Sequence, residues 1–513
     1  MNRAGAAWLA VAAGCGLALA GYIYRPWETV PFDIWDFREF LPLLRRTTAA
    51  GTQLADLLAY YATHGRRNVL FYGSFVAQWQ LFGEANLGWQ LVRFGVMTAN
   101  LVLAFHLLRQ LGASRFGALA GAGLLIAASP VLRGWVQLMA EPQALLALQA
   151  GALLALRYQA TSRWQAAGLG LAFMVAFVVL SKEVLVGLAG WVVLVALCRQ
   201  PDGAFRFPRR SPRNLVLAVL TLLVVAAAAI MIWQLRQRPE ATEYTMEYGQ
   251  GALSLTRFGE LFLAGLLPFR TGADIRFGLL YPANILVVAV MALGWAARLR
   301  LPQSRRRTLV ELGWILAIPA IGALVYLPWP KYDSFYGLPF FFGAVLLFGC
   351  AVTALERQGR PARAAVRIAA CLAVGYLALA GRRSIAQSQA ALQVNVSLAR
   401  NLKVFRSHDT VMIAGPREGP RALPVQGKEL RDYALALRYA EPGELPEVID
   451  VDCETGERVL REGLGRKVLV SYSFGCGSFP EPSARLGVEY AYRDWLTLKR
   501  MRDSAAADLL VPR

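Results

Sequence analysis

The sequence predicts a polytopic α-helical membrane protein with about eleven transmembrane helices and a C-terminal extracytoplasmic α/β domain. Three observations predict it. Of the 513 residues, 56% are apolar and only 17% charged, against about 45–50% and 25% in soluble domains. Mean hydropathy is +0.41. The apolar residues are gathered into long runs, and the arginines lie mainly between those runs. Disorder, a coiled coil and a disulfide scaffold are excluded as descriptions of the whole chain. The net charge of +20 is mostly a topology signal, with some attraction to anionic lipid headgroups. No basic-aromatic module for nucleic acid is visible. The three histidines, His64, His106 and His408, are too scattered for a His-rich metal site, and no CxxC pair is present.

A helical span needs about 20 mostly apolar residues. Eleven runs qualify, near 5–24, 88–108, 115–132, 142–158, 164–181, 184–198, 214–235, 278–297, 308–328, 335–355 and 364–381. The first ends Ala18-Leu19-Ala20-Gly21, similar to a signal-peptidase site; a retained anchor is expected, because more spans follow. Alternate connections are arginine-dense: Arg109 and Arg115; Arg157 and Arg163; Arg199 to Arg213; Arg298 to Arg307; Arg357 to Arg367. The intervening short ones carry one basic residue each, Arg133, Lys182 and Lys331. Lys and Arg are retained in the cytoplasm, which predicts a cytoplasmic N-terminus and an extracytoplasmic C-terminus. The expected organisation is a membrane domain over 1–383, with a first extracytoplasmic loop at 25–87, and a soluble α/β domain over 384–513. In the latter, TVMIAG (410–415) and KVLVSYSF (467–474) read as strands and residues 427–440 as a helix. Cys453 and Cys476 lie there, in a compartment that favours a bridge.

Ionisable residues near the membrane are costly and mark function. Asp33, Asp36 and Glu39 follow the first span, and Arg66 and Arg67 precede the second. Glu141 opens the fourth; Lys182 and Glu183 join the fifth and sixth; Lys331, Tyr332 and Asp333 precede the tenth. All fall at the expected extracytoplasmic boundary. Each has a structural explanation. A first-turn carboxylate followed by Pro142 suits a helix start, Lys182–Glu183 suits an ion pair in a tight turn, and Lys331 suits snorkelling. Together they place carboxylates and cations where an anionic lipid headgroup lies. A carboxylate among Phe32, Trp35, Phe37 and Phe40 is suited to general-base work. Arg66 and Lys182 suit a phosphate.

The ordered motifs DFREFLPLL, GRRN, AEP, SKE and KYDSFYGLPFFFGAVLL resemble those of the GT-C superfamily of polyprenyl-phosphate-sugar-dependent glycosyltransferases. The likeness is to its protein O-mannosyltransferase-like and aminoarabinose-transferase-like branch, over residues 1–383. The resemblance implies a multi-pass enzyme of the bacterial inner membrane. It would move a sugar from a polyprenyl-phosphate donor to an extracytoplasmic hydroxyl, on a glycan, lipid or protein acceptor, with inversion. Asp36 matches the loop carboxylate that activates the acceptor, with Asp33 or Glu39 as its partner. Arg66, Lys182 and Glu183 match elements at the outer membrane edge, Lys182 as a phosphate ligand. Glu141 matches a Glu-Pro element, and Lys331 and Tyr332 belong to the late motif. Two departures stand out: Arg67 replaces an aromatic, and no adjacent Asp-Asp or Asp-Glu pair occurs in the loop. The choice of base among Asp33, Asp36 and Glu39 therefore stays open. A divalent metal would assist a departing phosphate, but no ligand cluster for one is visible. The competing readings are an O-antigen ligase or polymerase, a lipid-linked-sugar flippase or transporter, and a membrane scaffold.

Overall fold

The computed structural model describes residues 3–25, 43–45, 50–63, 69–83, 85–128, 140–182, 185–199, 211–236, 253–268, 281–300, 305–328, 337–401, 410–414, 445, 447–452, 454–455, 458, 468–472 and 488–492. It is mostly helical. In chain order the helices are α1 (Arg3–Tyr24), α2 (Ala50–Thr63), α3 (Val69–Phe82), α4 (Asn86–Gln110), α5 (Arg115–Ala127), α6 (Glu141–Tyr158) and α7 (Trp164–Ser181). They continue with α8 (Val186–Cys198), α9 (Pro212–Arg236), α10 (Leu255–Ala264), α11 (Pro282–Leu299), α12 (Arg305–Tyr326), α13 (Leu338–Glu356) and α14 (Arg360–Asn401). Four strands follow: β1 (Thr410–Ala414), β2 (Glu447–Val451), β3 (Val468–Tyr472) and β4 (Val488–Tyr492). The chain divides into two compact units, Met1–Thr29 with Leu54–Ile385, and Val30–Gln53 with Ala386–Arg513.

Each of the eleven apolar runs falls on a helix. Among the described residues, 6 helices are long and apolar enough to cross a membrane: Leu87–Gln110, Trp164–Ser181, Pro282–Leu299, Arg305–Tyr326, Leu338–Glu356 and Arg360–Arg383. Shorter apolar helices cover Ala13–Tyr24, Arg115–Ala127, Val186–Cys198 and Pro212–Ala227. This is the architecture of a polytopic membrane protein. Helix α6 is in neither group; Glu141, Gln143, Gln149 and Arg157 dilute its apolar face. The short helix α10 follows α9; its Ser254 cap accepts from the Arg257 amide at 3.1 Å.

In the first unit α13 is the axis. Every residue from Leu338 to Ala354 is buried, whereas α7, α9 and α14 expose Leu169, Phe173, Leu222 and Leu372, as lipid-facing helices do. Lipid tails are as apolar as leucine, so packing rather than water exclusion must hold such helices together. Small residues allow it. Gly117 and Gly121 form a GxxxG step on α5 against α13: a Cβ on Gly117 would lie 2.6 Å from the Gly349 carbonyl oxygen, and one on Gly121 3.0 Å from that of Val345. Buried indoles add backbone ties. Trp295 Nε1 donates to the Leu347 carbonyl at 3.1 Å, and Trp191 Nε1 to that of Trp314 at 2.9 Å.

The bundle has two chemically distinct ends. At one, the Ser114 amide donates to Thr353 Oγ1 at 2.9 Å, and the Ser114 hydroxyl bonds Glu356, which also accepts from Arg367 Nε at 2.7 Å. Tyr158 donates to the Arg213 carbonyl at 3.0 Å, and Gln159 Nε2 to Asn214 Oδ1 at 2.9 Å. Arg298 pairs with Glu311 at 2.8 Å. These ties join the turn that carries Arg109 and Arg115 to the one that carries Arg357 and Arg360, and the turn that carries Arg157 and Arg163 to the start of α9. The other end holds the junctions at Glu141 and Lys182.

In the second unit the four strands are all parallel, in the order β2-β1-β3-β4. Thr410 faces Glu447 on one side and Val468 on the other. A bulge between Val468 and Leu469 shifts the pairing with β4. The apolar runs at 410–415 and 467–474 fall on β1 and β3. The expected helix at 427–440 and both Cys453 and Cys476 lie outside the described residues.

Gly117→Leu should drive a branched side chain into the Gly349 backbone. Overpacking typically costs about 1–3 kcal/mol, more where the obstacle is main chain. The thermal unfolding midpoint in detergent should fall by several degrees, while Gly313→Ala, which meets nothing within 4 Å, should leave it unchanged.

A buried ion pair and polar seam at the end of helix α6

Helix α6 begins with Glu141-Pro142. Its N-cap, Ala140, offers no side-chain cap, and Glu141 is the acidic residue of the first turn, where a negative charge suits the helix dipole. Pro142 needs no amide partner there. Helix α7 returns beside α6 and ends at Ser181. Lys182 follows in extended conformation, its amide still bonded to the Val178 carbonyl at 3.2 Å. The two ends meet: Lys182 Nζ pairs with Glu141 Oε1. The Glu141 side chain is 1% exposed and that of Lys182 16%. The carboxylate is thus enclosed, and the ammonium stands between it and the outside. An ion pair so far from bulk water persists only when both charges are present, because either one alone would bear an uncompensated desolvation cost.

Around the pair lies a seam of uncharged polar groups. Asn100 Nδ2, on α4, donates to the Pro142 carbonyl at 2.9 Å and to that of Val96 at 2.9 Å. Gln143 Nε2 donates to Ser74 Oγ on α3 at 2.9 Å. Gln78 Nε2 donates to the Ser74 carbonyl at 3.1 Å. Asn100 is 14 residues into α4, so α6 starts about 21 Å along that helix, set back from its first turn. Helix α3 packs beside this step. It is joined to α4 through Gly83, whose φ of +52° suits glycine, and Trp89 Nε1 fastens the joint by donating to the Gly83 carbonyl at 3.0 Å.

Each carboxamide of the seam donates to a protein oxygen, but several acceptors are unused. Gln78 Oε1, Asn100 Oδ1, Glu141 Oε2, Gln143 Oε1 and Ser181 Oγ are buried with no hydrogen-bond partner among the described residues. Gln149, two turns further down α6 and fully buried, has neither carboxamide atom partnered among them. Such groups are rare, and each carries a desolvation cost of about 1–3 kcal/mol. Among the described residues no three His, Cys, Asp or Glu side chains gather as a metal ion would require.

Of the residues singled out from the sequence, Glu141 and Lys182 are brought together. Asp33, Asp36, Glu39, Arg66, Glu183, Lys331 and Tyr332 lie outside the described residues. Lys182 pairs with Glu141, 41 residues earlier; the turn pair expected between Lys182 and Glu183 involves a residue outside the described ones. Ser74, Gln78, Asn100, Gln143 and Ser181 were missed by sequence reasoning. The available signal was a carboxamide or hydroxyl interrupting an apolar run, as Asn100 does in ANLVLAF.

No protein-family profile matches the chain, and no curated protein sequence does. Among solved structures, it is similar to the arabinofuranosyltransferase AftD from Mycobacteria, with 15% identity and a TM-score of 0.46, over 88% of this chain and 32% of that one. It is also similar to the archaeal oligosaccharyltransferase AglB from Archaeoglobus fulgidus, in complex with an inhibitory peptide and a dolichol-phosphate. There the identity is 11% and the TM-score 0.44, over 87% of this chain and 65% of that one. The chain therefore spans about a third of the first structure and just under two thirds of the second.

Two stability measurements check this site. Lys182→Met should destabilise by about 3–5 kcal/mol, since it strands an enclosed carboxylate. Glu141→Gln should cost less, because the Lys182 ammonium has a route to water. The double variant should recover much of the loss, and simple additivity in the cycle would contradict the pairing. Gln149→Met, which removes two unpartnered polar atoms at similar volume, should raise the unfolding midpoint.

Proposed function

We propose that the chain is a GT-C-type glycosyltransferase of the bacterial inner membrane, moving a sugar from a polyprenyl-phosphate donor to an acceptor hydroxyl at the extracytoplasmic face. The observation that carries this reading is the Lys182 ammonium, held by a buried carboxylate at the end of the bundle away from the arginines. By the retention of Arg and Lys in the cytoplasm, that end faces outward. All eleven apolar helices then cross the membrane, the N-terminus is cytoplasmic, and residues 384–513 form an extracytoplasmic domain.

The polyprenyl tail lies in the bilayer, and the donor phosphate meets Lys182 and Arg66. Glu141 holds the ammonium in place. In the first loop Asp36 takes the proton from the acceptor hydroxyl, with Asp33 or Glu39 beside it. The acceptor oxygen forms a bond to the anomeric carbon as that carbon's bond to the phosphate oxygen breaks. The phosphate departs with the bonding electrons, and the cations offset its growing charge. One displacement inverts the anomeric centre. Glu183, Lys331 and Tyr332 line the outer edge and contact the donor or acceptor. The acceptor is a glycan, lipid or protein hydroxyl.

The experiment is sugar transfer by the full chain in proteoliposomes. Asp36→Asn should lower turnover by 10²-fold or more, in the range of general-base catalysis, with normal membrane expression. Lys182→Gln should raise the donor KM as well as slow transfer. Normal transfer by Asp36→Asn would refute the assignment of the base. Movement of lipid-linked sugar across vesicles without transfer would favour a flippase instead.

A further inference from the structure

We propose that the seam between α3, α4 and α6 reads the hydroxyl groups of the donor's sugar, with Asn100 and Gln143 as its specificity-determining residues. This rests on the donor reading above and extends it from the phosphate to the sugar. Three side chains in the seam combine near-complete burial with an unpartnered acceptor: Glu141 is 1% exposed, Asn100 5% and Gln78 6%. The Gln143 and Ser181 oxygens are likewise buried and unpartnered among the described residues. Successive contacts chain the seam together: Lys182 to Glu141, Pro142 to Asn100, Gln143 to Ser74, and Ser74 to Gln78. The unpartnered acceptors thus belong to one connected set of contacts that ends on the cation proposed to hold the phosphate, with Ser181 next to it in the chain.

The chemistry of the missing complement follows from the groups present. Asn100 already donates both of its amide protons to protein oxygens, and Gln78 and Gln143 donate one each, which points the carboxamide oxygens away from those bonds. What remains is a set of acceptors that calls for several donors close together. A bound cation could serve acceptors, but Lys182 already supplies positive charge here and opposes a second one. A polyhydroxylated ring supplies neutral O–H donors at that spacing. In this structure Ser74 of α3 holds Gln143 in the first turn of α6, so a sugar reaches the seam as α3 moves off that turn. That movement exchanges the Gln143–Ser74 hydrogen bond for bonds to the ligand. The desolvation cost stored in the closed seam is released on binding, which favours the sugar-bearing lipid over the bare phosphate.

The test is binding to the purified full chain in nanodiscs, read by thermal shift and native mass spectrometry. The probes are undecaprenyl phosphate and the same lipid carrying a hexose, a pentose or an amino sugar. The wild type should bind at least one glycolipid roughly tenfold tighter than the bare lipid, the worth of about one net hydrogen bond. Asn100→Leu and Gln143→Met should abolish that preference while keeping affinity for undecaprenyl phosphate. Gln143→Glu, which keeps an acceptor oxygen, should retain it and guards against misfolding as the cause. The proposal is overturned if all three glycolipids bind no better than the bare lipid, if the preference survives both apolar variants, or if it vanishes with EDTA. Failure of the broader reading looks different: undecaprenyl phosphate would then not bind, or its binding would ignore Lys182→Gln.

Discussion

The close approach of α5 to α13 is the constraint on which the rest of the bundle depends. A helix surrounded on all sides by other helices gains nothing from water exclusion in a bilayer, so its neighbours must come near enough for dispersion contacts and backbone approach to hold them. Gly117, Gly121 and Gly349 supply that proximity, and the Trp191 and Trp295 indoles each spend their single donor on a neighbouring helix carbonyl. With α13 fixed, α6, α11 and α12 take their positions around it. The capped turn at Ser114 then locks α5 to the start of α14 through Glu356 and Arg367.

That rigid frame explains how the bundle tolerates a costly polar layer at its opposite end. Helix α6 begins part-way along α4, which sets Glu141 back among helices instead of at the rim. There its charge is secured by Lys182 from the end of α7. A loose frame would let water reach such a pair and dissolve its specificity. A packed one makes the pair a fixed electrostatic feature. Unpartnered acceptors in the adjoining carboxamides give the layer a directional character, which a hydroxyl-bearing ligand complements better than an ion does.

The helices were largely legible because a bilayer imposes a coarse rule: twenty apolar residues per crossing, punctuated by charge. The run at 164–181 coincides with α7, and the arginine-dense turns at Arg109 and Arg357 are tied to each other. The run at 142–158 falls on α6 as well, although polar residues of that helix weaken its apolarity; two of them, Glu141 and Gln143, belong to the seam. Of the site, Glu141 and Lys182 could be singled out because an ionisable group beside an apolar run is conspicuous. Asn100 and Gln78 were not, since a neutral side chain in a helix carries no sign of what it faces.

From the sequence alone followed the helical membrane class, the order of the apolar helices, the separation of basic turns from the rest, and the two charges that mark the site. These depend on local composition and on distance along the chain, which the solvent reads directly. Only the tertiary structure decided that Lys182 pairs with Glu141 across 41 residues, that α13 is the buried axis, and that carboxamides from three helices share one seam. Pairing between remote segments is set by helix crossing geometry and by which small residues let backbones touch, and no periodicity within a single helix encodes its neighbour.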